Sequence, residues 1–397
     1  MNLNLDKSAW KRVALGDVAK HVTDRVDAET SGLERFLAGE HIPSNELAIT
    51  QWGVIGRDPI GPMFYKRFKP GHVLYVSRRS YLRKTAVPEF EGVTGEKTFV
   101  LESRDESVLL QRFLPFVLSA EVFHSYAVTN SRGSVNPYIN WTELANYEFG
   151  LPAVDEQQRL ADLLWAMERH RAELDRQVSA IEAALQRFLA HAFRAAPGPR
   201  VKIVDLCTDV IGGIWGSPKG EAEVDVLALG PRVYADGATQ LATDGSPVRS
   251  VSRRQADVRL VRDGDIILER SGGSPSQPVG RVVIARGELA PCIPTDFQRL
   301  LRPNREVVEP HFLFWRLRHD WATGVTRNYA KKTTNITNLS VKDYIARSIV
   351  VPSIDDQIHL LSRVDSFEDA LTSVARESSK LHALHRSLQG EIFGGVE

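Results

Sequence analysis

Between Asp155 and Phe193 the apolar positions recur in steps of four and three: Leu160, Leu164, Met167, then Leu174, Val178, Ile181, Leu185 and Phe188, with Arg171 on the same spacing. That rhythm places one stripe along a helix and is the seam of a coiled coil. It returns between Asp355 and Phe393 as Leu360, Val364, Phe367, Leu371, Val374, Leu381 and Leu388, with polar substitutions at Ser378 and His385. Pro152 ends a strand-like stretch, Asp155 reads as an N-cap with Gln158 three residues on, and Pro197, Gly198 and Pro199 stop the first helix. Gly390, Gly394 and Gly395 close the second. Each helix should run about 40 residues, roughly 60 Å at 1.5 Å per residue. A seam so long is unsatisfied alone, and the two share one register, so they are expected to pack together as an antiparallel coiled coil. The alternative, that each helix only covers its own domain, does not require unbroken heptads. Leu163, Ala166 and Phe193 lie off the seam and should expose a face to a partner.

Outside the helices the pattern changes to short β-branched or aromatic runs bounded by Gly, Pro or charge. Val73–Val76, Thr98–Leu101, Asp265–Leu268 and Gly280–Ile284 read as strands, and Leu109–Ser119 and His311–Arg318 as short helices. The expected class is α+β.

The chain also repeats itself. Leu151-Pro152-Ala153-Val154-Asp155-Glu156-Gln157 returns as Val351-Pro352-Ser353-Ile354-Asp355-Asp356-Gln357, an offset of 200 without a gap. Upstream, Leu15-Gly16-Asp17-Val18 parallels Ile203-Val204-Asp205-Leu206 at an offset of 188. Phe68–Tyr75 parallels Val261–Leu268 at 193. Growing offsets are what loop insertions produce, so the chain is a tandem duplication of a globular part followed by a long helix. The loops diverge where the strands do not: Ser77-Arg78-Arg79-Ser80-Tyr81-Leu82-Arg83-Lys84 stands opposite Glu269-Arg270-Ser271-Gly272-Gly273-Ser274-Pro275.

Composition narrows the function classes. No run of about eighteen apolar residues suits a spanning helix, and the polar stretch Met1–Trp10 does not read as a signal peptide, so no membrane role is expected. Cys207 and Cys292 match neither a disulfide framework nor a metal-ligand spacing, which points to a reducing, cytoplasmic setting. The 50 basic and 50 acidic residues balance. They are segregated, however: bases crowd into Lys66–Lys84, and acids gather on the helical segments, leaving room for a local basic face.

A Leu-Gly-Asp-Val opening, a Gly-Asp-Ile-Ile-Leu strand and a Pro-x-x-Asp-Glu-Gln helix start, all duplicated in order, resemble the specificity subunit of type I restriction-modification enzymes over nearly the full length. The resemblance implies a target-recognition domain at 1–150 and another at 197–350, with spacer helices at 151–196 and 351–397. It further implies that the two domains read the halves of a split double-stranded DNA sequence. Adenine methyltransferase subunits would dock on the chain, and endonuclease-translocase subunits would join them. No cofactor is implied.

Groove reading needs side-chain donors and acceptors, while cations on phosphates supply orientation and salt-dependent affinity. In the first copy the candidates are Arg78, Arg79, Tyr81, Arg83 and Lys84 with Asn130, Ser131, Arg132 and Ser134. In the second they are Arg253, Arg254, Arg270, Ser271 and Ser274 with Lys331, Lys332, Thr333, Thr334 and Asn335. Arg132 and Lys332 share the offset of 200 and are expected to be phosphate anchors. Catalytic signatures are not apparent. Asn136-Pro137-Tyr138 is similar to the Asn-Pro-Pro-aromatic motif of adenine methyltransferases but lacks the second proline, and no glycine-rich phosphate loop follows a strand. Asp263, Asp265 and Glu269 stand beside Arg262 and Arg270, which suits a charged strand edge better than a metal nuclease. The reading is therefore a non-catalytic subunit. Its rival is a scaffold that holds two protein-interaction domains on a coiled coil.

Overall fold

The computed structural model describes residues 5–235, 237–274, 277–333 and 336–394. They form two compact units, one holding the chain up to Val178 and again from Ser373, the other holding Ser179–Thr372.

In the first unit a four-stranded sheet runs in the order Ala19–His21, Thr98–Ser103, Val73–Val76, Thr85–Ala86. Its inner residues Val73, Tyr75 and Leu101 are fully buried beside Phe113, Phe116 and Phe123. A second sheet pairs Arg35–Leu37 in parallel with Gly92–Gly95. Lys11–Ala14 pairs antiparallel with Glu148–Leu151 and closes the domain next to the first long helix.

The second unit repeats each part. The order Cys207–Gly212, Gln298–Pro303, Ile266–Glu269, Val282–Ile284 reproduces the four-stranded sheet. Val224–Leu229 runs parallel to Cys292–Pro294, and Arg200–Lys202 pairs with Ser348–Val350. The duplication read from the motifs is thus a duplication of topology. The helix Pro310–Ala322 covers the span expected for His311–Arg318. The stretch Leu109–Ser119 differs: only Leu114–Val117 is helical, and Glu121–Thr129 forms the longer helix. Pro115 has no N–H to donate to Gln111, so a helix cannot be continued from upstream.

The long helices are Val154–Ala195 and Ile354–Phe393. Both contribute to both units, and where they meet they run in opposite directions. In the first unit His170 Nε2 lies 2.8 Å from Glu377, and His385 lies 3.6 Å from the earlier residue Glu168. In the second, Phe188 meets Phe367 at 5.8 Å between ring centroids, and Leu185 and Leu189 share a core with Leu360 and Val364. Leu160, Leu164, Met167, Leu174, Val364, Val374 and Leu388 are buried, while Val178, Ile181, Leu371 and Leu381 are half-buried. The stripe is therefore the packed face.

Two expectations change. Asp155 is not the N-cap, because the helix already begins at Val154 and Asp155 and Glu156 occupy its first turn, where the helix dipole favours acids. Phe193 is not a partner-facing residue. The last turn of the first helix enters the core of the second unit, and its ring packs edge-on against Phe312 at 5.7 Å.

The repeated glutamine has a structural role in both copies. Gln157 is fully buried; its Oε1 accepts from the backbone N–H of Leu110 (2.9 Å), and its Nε2 donates to the carbonyls of Val108 (2.8 Å) and Pro152 (2.9 Å). Gln357 accepts from the N–H of Glu309 (2.8 Å) and donates to Pro352 O (2.9 Å). Each glutamine pins a domain loop to the first turn of a long helix. Gly198 is needed between helix and strand because its φ is +141° and a Cβ there would lie 2.3 Å from the carbonyl oxygen of Val351.

Candidate nucleic-acid interface

The divergent loops converge on one small structure in each unit. In the first, Arg78 and Arg132 both form isolated antiparallel bridges to Tyr138, which puts Tyr138 in the middle of a platform of three chain segments. In the second, Ser271–Gly272 and Ala330–Thr333 flank Ile336–Leu339, with Ser271 and Lys331 both opposite Asn338. Tyr138 and Asn338 are 200 positions apart, so the platforms are equivalent by both topology and repeat. Across from Asn338 stands Lys331, while Lys332 faces Thr337. The structural counterpart of Arg132 is therefore Lys331 and not Lys332, because the second hairpin is one residue longer than the first between these partners.

The structure brings Arg78, Arg79, Tyr81, Arg132 and Ser134 to the first platform, all exposed. Arg79 adopts φ +54°, a left-handed conformation uncommon outside glycine, and is held there by its side chain: Nε donates to Asn136 Oδ1 at 2.7 Å. Ser80 and Ser131 join the two loops through their hydroxyls at 2.6 Å. Asn130 Nδ2 donates to Tyr126 O at 2.9 Å, so this side chain finishes a helix and is not offered outward. Arg83 is bidentate to Glu121, 2.6 Å at both oxygens, and the Lys84 ammonium donates to the carbonyl of Gly39. Arg132 carries an ion pair to Glu143 but keeps two-thirds of its side chain exposed.

In the second platform Lys331 and Lys332 are exposed, and among the described residues their side chains meet no hydrogen-bond or ionic partner. Arg270 is half-buried, with its N–H on Phe297 O at 2.7 Å. Burial first, and then the neighbouring Arg270, push the Arg299 guanidinium below its usual range. Ser271 is buried and donates to Asn338 Oδ1, holding the sheet together. Ser274 is exposed, and its hydroxyl accepts from the N–H of Gln277 at 3.0 Å. Thr333 ends its strand; Thr334 and Asn335 lie outside the described residues. Arg253 and Arg254 are exposed on the first turn of Arg253–Arg259, a helix packed on the sheet containing Val224–Leu229, and are not part of the platform.

The basic run Lys66–Lys84 is not one face. Lys66 is buried, donates to the carbonyls of Glu96 (2.6 Å) and Thr98 (2.9 Å), and is lowered by burial to about 8. Arg67 is paired with Glu91 at 2.8 Å. The acids that a metal nuclease would need are each bound to a guanidinium: Asp265 to Arg302 and Glu269 to Arg281, at 2.8 and 2.7 Å, and Asp263 to Arg305 at 2.8 Å. Sequence reasoning missed Tyr138, Asn338 and Lys97, whose ammonium lies 5.0 Å from the Tyr138 ring centroid. The offset of 200 already pairs Tyr138 with Asn338; nothing in the sequence marks both as the middle segment of a platform.

No family model matches the chain. A protein of Methanocaldococcus jannaschii named for a type I restriction enzyme, the MjaX specificity subunit, is 21% identical over 142 residues, 35% of this chain and 33% of the relative. The chain thus spans about a third of that relative's length in the match. Solved structures cover far more. A chain from work on assembly and conformational transition of the type I R-M system superposes with a TM-score of 0.56 at 19% identity over 98% of both chains. The type I restriction-modification S subunit from M. genitalium gives a TM-score of 0.57 at 12% identity, over 100% of this chain and 98% of its own. With its duplicated α+β parts, paired long helices and end-to-end superposition, the chain has the fold of a type I restriction-modification specificity subunit.

Proposed function

We propose that this chain is the DNA-specificity subunit of a type I restriction-modification complex. It reads a split double-stranded target through two recognition domains, at 1–150 and 197–350, and carries no catalytic centre. The helices at 151–196 and 351–397 act as spacers that set the gap between half-sites. Adenine methyltransferase subunits dock on it, and endonuclease-translocase subunits complete the assembly in the cytoplasm.

One observation carries the reading. The same three-segment platform is built twice on the same scaffold from different side chains, Arg78, Arg132 and Tyr138 in one and Ser271, Lys331 and Asn338 in the other, with Arg78, Arg132 and Lys331 exposed. Constant architecture beneath variable exposed loops suits two readers of two different sequences. Exposed cations beside hydrogen-bonding side chains suit a groove bounded by phosphates. Among the described residues no helix is long and apolar enough to cross a membrane.

The test is co-expression with the methyltransferase subunit of the same locus in a host lacking adenine methylation, followed by genome-wide methylation mapping. A motif of two short halves around an undefined spacer, lost when this chain is omitted, is the expected result. No new methylation, together with duplex binding that does not weaken log-linearly with salt, would replace the reading with the protein scaffold.

A further inference from the structure

The platform of the first unit ends in a hairpin tip, residues 133–137, whose chemistry is not explained by phosphate contacts. Arg132 and Tyr138 exchange both backbone hydrogen bonds, at 2.8 and 2.9 Å, and so define the base of the tip. Gly133 turns the chain with φ +91°. On the far side Asn136 is held by the Arg79 guanidinium, and Pro137 O accepts the Arg79 N–H. The tip is thus fastened on both flanks. At its apex stands Val135, 83% exposed, the most exposed large apolar residue among the described residues. Around it lie Ser134 and Asn136, and the platform's cations Arg78, Arg79 and Arg132.

An apolar side chain held outward by a fastened loop, on a surface that is otherwise cationic, is matched by a ligand with negative walls and an apolar spot on its floor. The major groove of duplex DNA has that character only where thymine presents its 5-methyl group; the other bases show donors and acceptors alone. Resting on the specificity-subunit reading above, we propose that Val135 reads a thymine methyl in the half-site recognised by the first domain, with the Asn136-Pro137-Tyr138 segment and Arg79 as the device that positions it. The Asn-Pro-aromatic motif then serves to anchor a reading loop. The position 200 residues after Val135 is Asn335, so the proposal is confined to the first half-site.

The experiment uses the complex of this chain with its methyltransferase subunits. Once the split motif is mapped, each thymine of both half-sites is replaced in turn by uracil, which removes only the methyl group, and duplex affinity is measured for the wild type and for Val135→Ala. The expected result is one position, in one half-site, at which uracil weakens the wild-type complex about four-fold, the equivalent of one buried methyl. At that position Val135→Ala binds thymine and uracil alike, while substitutions in the other half-site affect both proteins equally. Val135→Ala removes no buried group, so a folding defect does not confuse the comparison. Equal uracil effects in both proteins at every position, or a first half-site without thymine, would overturn this inference and leave the specificity reading intact. No split motif with the wild type would overturn both.

Discussion

Replacing Gln157 by alanine removes three hydrogen bonds from a fully buried side chain and leaves the Leu110 N–H and the Val108 and Pro152 carbonyls without their partner. A buried group deprived of its partner costs about 1–3 kcal/mol, with the orphaned donor the more severe case, so the local penalty should be about 3 kcal/mol. Gln357→Ala releases the Glu309 N–H and the Pro352 carbonyl, two bonds in place of three, and should cost about 2 kcal/mol. Because a chain of two units is not a two-state system, a single unfolding midpoint would mix the contributions. Amide hydrogen exchange separates them. In Gln157→Ala the protection of the Leu110 amide should fall by roughly two orders of magnitude while that of Glu309 is unchanged, and Gln357→Ala should show the reverse. Protection that is retained at Leu110, or abolished at both amides in either variant, would refute the view that each glutamine is an independent clamp between its domain and its helix.

Asp320, 1% exposed, faces Arg347 and Arg316 and accepts from the Tyr344 hydroxyl. Asp320→Ala should destabilise the second unit by about 3–5 kcal/mol, read from hydrogen exchange of that unit's most protected amides, since two guanidinium groups are left without their counter-ion, and an effect below about 1 kcal/mol would contradict this. His124 and His385 are each lowered to about 4, by burial first and then by Arg83 and Arg171 respectively. Their folded values lie below the unfolded one, so the stability that depends on their neutral form is complete above about pH 6.5 and falls as pH drops toward about 4. His124→Gln and His385→Gln should each flatten that slope by up to about 1.4 kcal/mol per pH unit, and an unchanged slope between about pH 4.5 and 6 in the double variant would show that neither drives it. Charge reversal at Arg132, Lys331 or Lys332 should reduce the slope of log affinity against log salt by about one for each phosphate no longer neutralised; an unaltered slope at any of them removes that residue from the DNA backbone interface.

Much of the architecture is legible without coordinates, for a physical reason. Heptad spacing is a local signal, and a stripe of Leu, Ile, Val, Met and Phe at steps of four and three can be buried only by a matching stripe, which the second copy supplies at Leu360–Leu388. The motif ending in Gln157 and Gln357 is visible as a repeat, though its purpose is not. A glutamine gives no sign in sequence that its amide will meet the backbone of Leu110 or Glu309, which are nearly fifty positions away. The candidate surface is legible in outline only. Arg78 and Arg132 belong to separate loops of the sequence, and only strand pairing through Tyr138 makes them one platform.

The departures have the same origin. Lys66 counts toward a basic face by composition, yet the fold turns its ammonium inward onto two carbonyls. Phe193 lies off the heptad seam and so reads as exposed, yet it is buried because the helix Pro310–Ala322 brings Phe312 and His319 against it. By itself the sequence determined the duplicated plan, the α+β class and the paired helices, because these follow from periodicity and repetition along the chain. Only the tertiary structure decided which charges are offered and which are consumed internally, and which side chains stand together at the candidate interface. Those outcomes depend on contacts between residues far apart in the chain, to which no local pattern is sensitive.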